Sequence, residues 1–141
     1  VAAAIVPDLP LEESEQWCAA ADGAGLQTVM LAAPTAPDER LERIVARARG
    51  FVYAVGLMGV TGERAALADS ATVIASRLKA ITDVPVLVGV GISSPEQAVE
   101  VCEVADGVVV GTALVRRVLE TRSPEAAGEL IGSFRDALDR G

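Results

Sequence analysis

The chain of 141 residues contains no histidine, only two cysteines and few aromatic side chains, which make up 3% of it. The absence of histidine excludes Ser-His and Cys-His nucleophile systems and disfavours a zinc site, so no metal is predicted. Cys18 and Cys102 lie far apart without CxxC spacing, and we interpret them as small buried thiols. Such thiols are typical of a reducing compartment, so a cytoplasmic location is expected.

Two further absences bear on binding partners. No apolar run approaches the roughly 20 residues of a membrane-spanning helix, so no membrane association is predicted. Twelve basic and twenty acidic residues give a formal charge of −8, and the basic residues form no cluster. Because a phosphate backbone is bound through Lys and Arg, nucleic acid is not an expected partner.

Small and β-branched apolar residues are abundant instead. Hydrophobic residues make up 51% of the chain, as is typical of parallel strands covered by helices. Short apolar runs alternate with helical patterns, which predicts an α/β fold with a parallel sheet in a single domain over residues 1–141. The predicted strands cover 1–6, 28–32, 51–55, 85–89 and 108–110, and the predicted helices cover 12–24, 38–49, 70–81, 94–103, 113–119 and 124–138.

The same pattern fits either an open sheet or part of a closed barrel. An eight-stranded (β/α) barrel needs roughly 200 residues or more, so this chain can supply only part of one. Val1 lies inside an apolar run and is not preceded by Met. We therefore expect the chain to be a fragment or a processed piece of a longer protein.

Two glycine-marked strand ends are the most informative motif. The segments 86–93 and 107–114 are β-branched runs that reach Gly91 and Gly111 and open into helical patterns. This arrangement brings free backbone N–H groups to a helix N-terminus, which is how (β/α) barrels hold a phosphate group. Phosphate binding is therefore predicted here, with simple N-capping by Thr112 as the alternative. Ser94 stands where a dinucleotide fingerprint needs its third glycine, so that fingerprint is absent.

Four further features have a functional or a plain interpretation. The glycine-rich loop 56–62 contains Thr61 and suits either a lid over a ligand or a floppy connection. Asp8 follows the first strand and could act as a general base, but its place between two prolines favours a turn. Asp106 precedes the last strand at the opposite end of the sheet and is interpreted as structural. Trp17 lies on a helix, as a core or interface residue.

Six motifs in this order resemble one known family. They are VPDLP at 6–10, APT at 33–35, GFVY at 50–53, GVTG at 59–62, GVGIS at 89–93 and DGVVVG at 106–111. The chain resembles the tryptophan synthase alpha subunit from its fourth strand to its end. The resemblance implies a TIM (β/α)8 barrel, of which this chain supplies about the last five βα units. It also implies a lyase of tryptophan biosynthesis that cleaves indole-3-glycerol phosphate to indole and glyceraldehyde 3-phosphate.

Site residues follow from the resemblance by motif position. It implies that the phosphate is held by Gly62, Gly91, Gly111 and Thr112, and that Tyr53 lies in the substrate pocket. The resemblance also implies that Thr61 hydrogen-bonds a catalytic aspartate when the loop that carries Thr61 closes. The two catalytic carboxylates of the family precede every segment present here. No catalytic acid or base is therefore expected in this chain.

The resemblance also implies a partner. Asp8 and Pro10 would face the beta subunit of an alpha2-beta2 complex, and that subunit carries pyridoxal phosphate. No cofactor is expected in the alpha chain itself. Two alternatives stay open: a non-catalytic module that binds phosphate or docks on the beta subunit, and another phosphosugar-binding TIM barrel. The GVTG loop, with Tyr53 eight residues before Thr61, argues against the second.

Overall fold

The computed structural model of the chain describes residues 1–56, 64–89 and 91–140, except for the side chains of residues 64–69. Over these residues the chain forms five strands and six α-helices. The strands are β1 (Ala3–Ile5), β2 (Gln27–Ala32), β3 (Val52–Ala54), β4 (Val86–Val88) and β5 (Gly107–Val108). The helices are α1 (Glu15–Gly23), α2 (Asp38–Arg47), α3 (Arg64–Lys79), α4 (Pro95–Cys102), α5 (Thr112–Thr121) and α6 (Pro124–Leu138).

The strands form one parallel sheet whose spatial order repeats the chain order, from β1 to β5. The prediction of an α/β fold with a parallel sheet is confirmed. The register places Leu31 beside Tyr53, Tyr53 beside Leu87, and Leu87 beside Gly107. Because side chains alternate along a strand, this row lies on one face of the sheet.

The two faces of the sheet differ in burial. The outer face carries Ala32, Val52, Ala54, Val86 and Val88, all 0% exposed and part of one hydrophobic core with residues of α2, α3 and α4. The inner face carries the row described above, in which Leu31 and Leu87 are only half-buried, although Val29 on the same face is buried. The hydrophobic core of the chain therefore lies between the sheet and its helices.

Two helices begin more than one residue away from their predicted starts. The predicted helix over 12–24 is split into a 3-10 turn at Leu11–Glu13 and then α1, because the buried Ser14 donates its hydroxyl to the Leu11 carbonyl at 2.8 Å. Helix α3 begins at Arg64, earlier than the predicted residue 70. Its first turns are rich in alanine, the strongest helix former, and they need no apolar periodicity to be helical. Helix α6 has the predicted bounds.

Candidate functional site

The carboxyl ends of β3, β4 and β5 lie side by side at one edge of the sheet. The Gly89 amide donates to the Ala54 carbonyl at 3.1 Å, and the Val109 amide donates to the Val88 carbonyl at 2.8 Å. These bonds continue the strand pairing one residue past each strand. Tyr53, Gly91 and Gly111 therefore belong to neighbouring strand ends.

Tyr53 is fixed to the next strand end. It projects from the inner face, half-buried, and its phenol donates to the Gly89 carbonyl at 2.9 Å. A Cβ atom at Gly89 would overlap the phenol of Tyr53. The ring therefore lies over the start of the glycine turn only because residue 89 has no side chain.

The turn between β4 and α4 satisfies its own backbone donors. Gly91 has a φ of +70°, a conformation that L side chains rarely adopt. The Gln97 carboxamide accepts from the amides of Ser93 and Ser94, at 2.8 and 3.2 Å, while the Ser94 hydroxyl accepts from the Gln97 amide. This is a capping box, with its signature in the serine and glutamine three residues apart. The sequence interpretation missed it, and it leaves the first turn of α4 closed to an anion at those amides.

Helix α5 begins differently from α4. Its N-cap is Gly111, with no side-chain hydrogen bond, and Thr112 is its first helical residue. The alternative in which Thr112 is merely an N-cap is therefore wrong, because the cap position falls one residue earlier. Gly111 and Thr112 are both exposed. A helix start without a side-chain cap offers its amide groups and the positive end of its dipole to an anion.

Two predicted site residues, Thr61 and Gly62, lie outside the described residues. The same holds for most of the predicted lid at 56–62, of which only Gly56 is described. The described part of the predicted phosphate site is therefore formed by Gly91, Gly111 and Thr112.

Asp8 and Pro10 lie in an exposed turn that follows β1. The Leu9 amide donates to the Val6 carbonyl at 3.3 Å, in agreement with the turn interpretation of Asp8. The Glu12 carboxylate, a little further along, accepts from the two terminal nitrogens of the Arg40 guanidinium at 2.5 and 2.9 Å. The hydrogen bond from Arg40 holds the pKa of Glu12 below its ordinary value, and Arg43 adds to this. This ion pair ties the segment after β1 to helix α2.

A cavity of about 360 Å³ lies beside this turn. Its lining includes Asp8 and Pro10 of the turn, Leu31 and Val55 of the inner face, and Trp17 of α1. Trp17 is half-buried, which agrees with its interpretation as a core or interface residue. The cavity is largely apolar, so it suits a planar or aliphatic group rather than a phosphate.

Arg77 of α3 fixes the loop between β2 and α2. Its guanidinium donates to the carbonyls of Pro34 and Ala36, at 2.8 and 2.7 Å, and to the Asp38 carboxylate at 2.6 Å. Ala36 also lines the cavity. The sequence pattern contains no signal for this contact, since Arg77 lies about forty residues further along the chain.

Asp106 has the structural role predicted for it. Its carboxylate accepts from the Val86 amide at 2.7 Å and from the Lys79 ammonium at 2.9 and 3.0 Å, at the amino ends of β4 and β5. The hydrogen bond from the Val86 amide has the larger effect and that from Lys79 the smaller, and both lower the pKa of Asp106 below its ordinary value.

Cys18 is buried and Cys102 is half-buried. Burial raises the pKa of the Cys102 thiol, and the nearby Asp106 carboxylate raises it further by a smaller amount. Within the described ranges, no helix is both long and apolar enough to cross a membrane.

A parallel sheet in sequential strand order, with helices on one face and glycines at the carboxyl ends of its strands, is the arrangement of consecutive units of a (β/α)8 barrel. Comparison with known proteins agrees and is more specific. A family model described as tryptophan synthase alpha chain matches residues 1–133. The chain therefore belongs to the tryptophan synthase alpha chain family.

Individual relatives give the extent of the match. The alpha chain of Streptomyces coelicolor is 49% identical over 138 residues, which are 98% of this chain and 50% of that protein. The crystal structure of the alpha subunit from Legionella pneumophila strain Paris has a TM-score of 0.86 at 33% identity, covering 100% of this chain and 53% of that one. A structure of Mycobacterium tuberculosis tryptophan synthase has a TM-score of 0.85 at 39% sequence identity, and the match covers 97% of this chain and 51% of that one. The chain spans about half the length of the curated relatives it matches.

Proposed function

We propose that this chain supplies the phosphate-binding half of a lyase that cleaves indole-3-glycerol phosphate to indole and glyceraldehyde 3-phosphate. Membership of the tryptophan synthase alpha chain family over residues 1–133 carries the proposal. The start of α5 adds physical support, because Gly111 leaves it without a side-chain cap. The neighbouring start of α4 is closed by Gln97. Of these two helix starts, α5 is therefore the better one for a phosphate dianion.

The remaining site residues take roles consistent with their positions. Gly91 turns the chain at the end of β4 and lets the backbone approach the phosphate. Gly62 would contact the same group, and Thr61 would orient a catalytic aspartate that this chain does not contain. Tyr53 borders the substrate on the inner face, beside the apolar cavity reached by Leu31 and Val55. That cavity offers an apolar surface for the indole ring.

Cleavage itself requires an acid and a base. The retro-aldol step breaks a carbon–carbon bond and needs proton transfers at the indole ring and at the glycerol hydroxyl. In our proposal both carboxylates come from outside residues 1–141. The chain by itself therefore binds a glycerol phosphate tail without releasing indole.

The proposal includes a partner and a location. Asp8 and Pro10 form an exposed turn, held in place by the Glu12–Arg40 ion pair, and they would contact a beta subunit in an alpha2-beta2 complex. Pyridoxal phosphate stays with that subunit, and the alpha chain needs no cofactor. The small-molecule partner is the phosphorylated substrate, with no nucleic acid and no membrane, and the location is cytoplasmic.

The proposed phosphate site is tested by titrating the chain with glycerol 3-phosphate, followed by ³¹P NMR. Thr112→Val removes a hydroxyl that faces the ligand, and we expect about tenfold weaker binding. Gly111→Ala is a second variant, because a Cβ atom at this position meets no other atom of the protein within 4 Å. It should leave the fold intact and still hinder the phosphate. Thr35→Val, an exposed threonine after β2, is the matched control and should bind like the unaltered chain. Equal affinity in all four proteins would remove the phosphate assignment.

A non-catalytic docking role is the second candidate. It is favoured by the turn of Asp8 and Pro10, because the neighbouring Glu12 ties this segment to α2 through Arg40. The two candidates separate when the chain is mixed with a beta subunit and the turnover of indole with serine is measured. Activation that is insensitive to Thr112→Val indicates docking alone. Restored cleavage of indole-3-glycerol phosphate after pairing with the other half of the barrel indicates the lyase.

A further inference from the structure

One side chain fixes the path of the chain between Gly91 and helix α4. The carboxamide oxygen of Gln97 accepts three hydrogen bonds. They come from the amides of Ser93 and Ser94, at 2.8 and 3.2 Å, and from the Ser93 hydroxyl at 3.1 Å. The Ser94 hydroxyl accepts in return from the Gln97 amide at 3.5 Å. Gln97 therefore determines the direction in which the backbone leaves Gly91.

The residues on both sides of Gly91 are held as well. Ile92 is 8% exposed and belongs to the hydrophobic core. The Gly89 amide donates to the Ala54 carbonyl at 3.1 Å. Gly91 itself is exposed and has a φ of +70°. An exposed glycine turn is thus set between a paired strand end and a capped helix start.

Gln97 holds this turn with a neutral oxygen. Glutamate serves the same position of a capping box as well as glutamine does, and a negative charge in the first turn stabilises a helix. Glu96 is the acidic residue in the first turn of α4, and it is exposed. A hydrogen bond from its own amide, and a second from Ser94, hold the pKa of Glu96 below its ordinary value. Glutamine at position 97 keeps a second carboxylate away from the turn.

A charge at position 97 would act on an anion at Gly91. The Gln97 oxygen lies 2.8 Å from the amide of Ser93, which is two residues after Gly91. Because consecutive Cα atoms are about 3.8 Å apart, this oxygen lies within roughly 12 Å of the Gly91 backbone. The Debye length is about 30 Å at 0.01 M salt and about 3 Å at 1 M. A carboxylate there would therefore repel the anion at low salt and be screened at high salt.

We propose that Gln97 is a positioning and specificity-determining residue of the phosphate site. It fixes the glycine turn through Ser93 and Ser94 and adds no negative charge beside a phosphate dianion. It also occupies the two serine amides, which leaves Gly91 and the uncapped start of α5 to the ligand. Gln97 acts through the turn without touching the phosphate, and the inference rests on the proposed phosphate site.

The test compares two variants of Gln97 in binding of glycerol 3-phosphate, followed by ³¹P NMR at roughly 0.01 M and roughly 1 M salt. Gln97→Glu keeps the acceptor and adds a charge. Relative to the unaltered chain, we expect about fivefold weaker binding at low salt and nearly equal binding at high salt. Gln97→Met removes the acceptor and adds no charge. It should weaken binding about tenfold at both salt concentrations, because the turn is no longer held in place.

Gln16→Glu is the matched control. Gln16 is exposed in the first turn of α1, which follows β1 at the other end of the sheet from β5. It adds the same charge to a helix start and should leave binding unchanged at both salt concentrations. Hydrogen exchange at the amides of Ser93 and Ser94 is a second readout. It should stay slow in Gln97→Glu and accelerate in Gln97→Met.

The outcomes separate this inference from the function on which it rests. If the unaltered chain does not bind glycerol 3-phosphate, the phosphate site is wrong and the role of Gln97 falls with it. If the unaltered chain binds and both Gln97 variants bind equally well, the role of Gln97 is overturned and the site stands. A loss in Gln97→Glu that persists at high salt, or that Gln16→Glu shares, overturns the role of charge.

Discussion

The phenol of Tyr53 donates to the carbonyl of Gly89 at 2.9 Å and so links the end of β3 to the turn that follows β4. The bond exists because residue 89 has no side chain, since a Cβ atom there would overlap the phenol. A residue of the inner face and the backbone of the glycine turn are thereby held in one arrangement. A substitution at Tyr53 or at Gly89 is therefore expected to alter the conformation of both residues.

Gly89→Ala should destabilise the chain by about 1–3 kcal/mol, because the new methyl group forces the tyrosine ring out of place. Combining it with Tyr53→Ala should recover part of the loss, since the colliding group is gone. The free energy of unfolding is measured in urea. Gly132→Ala on α6 is the control, because its Cβ meets nothing within 4 Å. An unchanged midpoint for Gly89→Ala would contradict the geometry.

Asp106 should make the stability of the chain sensitive to acid. Its pKa in the folded state is lowered by the Val86 amide and by Lys79, so the unfolded chain binds a proton more readily. The stabilisation is fully present above the unfolded pKa and is lost as the pH falls through the lower folded value. Asp106→Asn should cost about 1 kcal/mol at neutral pH and flatten this part of the pH dependence.

The comparison for Asp106 is Asp83→Asn, which changes an exposed carboxylate in the turn before β4. It should leave both the midpoint and its pH dependence close to those of the unaltered chain. Urea denaturation between pH 3 and pH 7 gives both quantities. If the stability of Asp106→Asn depends on pH as that of the unaltered chain does, other titratable groups cause the acid sensitivity and the prediction is wrong.

Arg77→Met should release the loop between β2 and α2. The substitution keeps an unbranched side chain but removes the donors to Pro34, Ala36 and Asp38. We expect a loss of about 1–3 kcal/mol, because two loop carbonyls lose a charged partner. Hydrogen exchange at residues 35 and 36 should accelerate in the same variant. Arg116→Met, an exposed arginine on α5, is the control, and a similar loss there would show that charge alone matters.

Arg122→Gly should stabilise the chain. Arg122 ends α5 with a φ of +50°, in the left-handed region where glycine is favoured. Relief of that strain exceeds the entropy that glycine loses on folding, so a gain of about 0.5 kcal/mol is expected in thermal unfolding. Arg116→Gly, inside the same helix, should instead cost about 1 kcal/mol. The same sign for both variants would refute the argument.

Much of the fold could be predicted from local pattern. Each observed strand lies in or beside a predicted apolar run, and α6 has its predicted bounds because Ser123 and Pro124 mark its start. Strand β5 is shorter than predicted, ending at Val108, since pairing with β4 covers only Gly107 and Val108. The break at Ser14 was not predictable, because it depends on a side chain that donates to the backbone carbonyl of Leu11, three residues earlier.

The candidate site, like the fold, could be predicted from the sequence only in part. Gly91 and Gly111 could be located because a glycine after a β-branched run is a local signal. The contact of Tyr53 with Gly89, and that of Arg77 with Pro34, join residues about forty positions apart. No periodicity reports such contacts, since they depend on how neighbouring strands are aligned. The family resemblance supplied what pattern could not, namely the proposal of a particular ligand.

The sequential order of the strands has a consequence for how the chain folds. Each strand pairs with its neighbour in sequence, so no pairing waits for a strand beyond the next one along the chain. Every pairing still spans a helical crossover, which makes a parallel sheet slower to form than a set of hairpins. The layer of helices on the outer face can therefore form unit by unit as the polypeptide emerges during synthesis. Until it is covered, the apolar inner side of the sheet stays accessible to water and to chaperones.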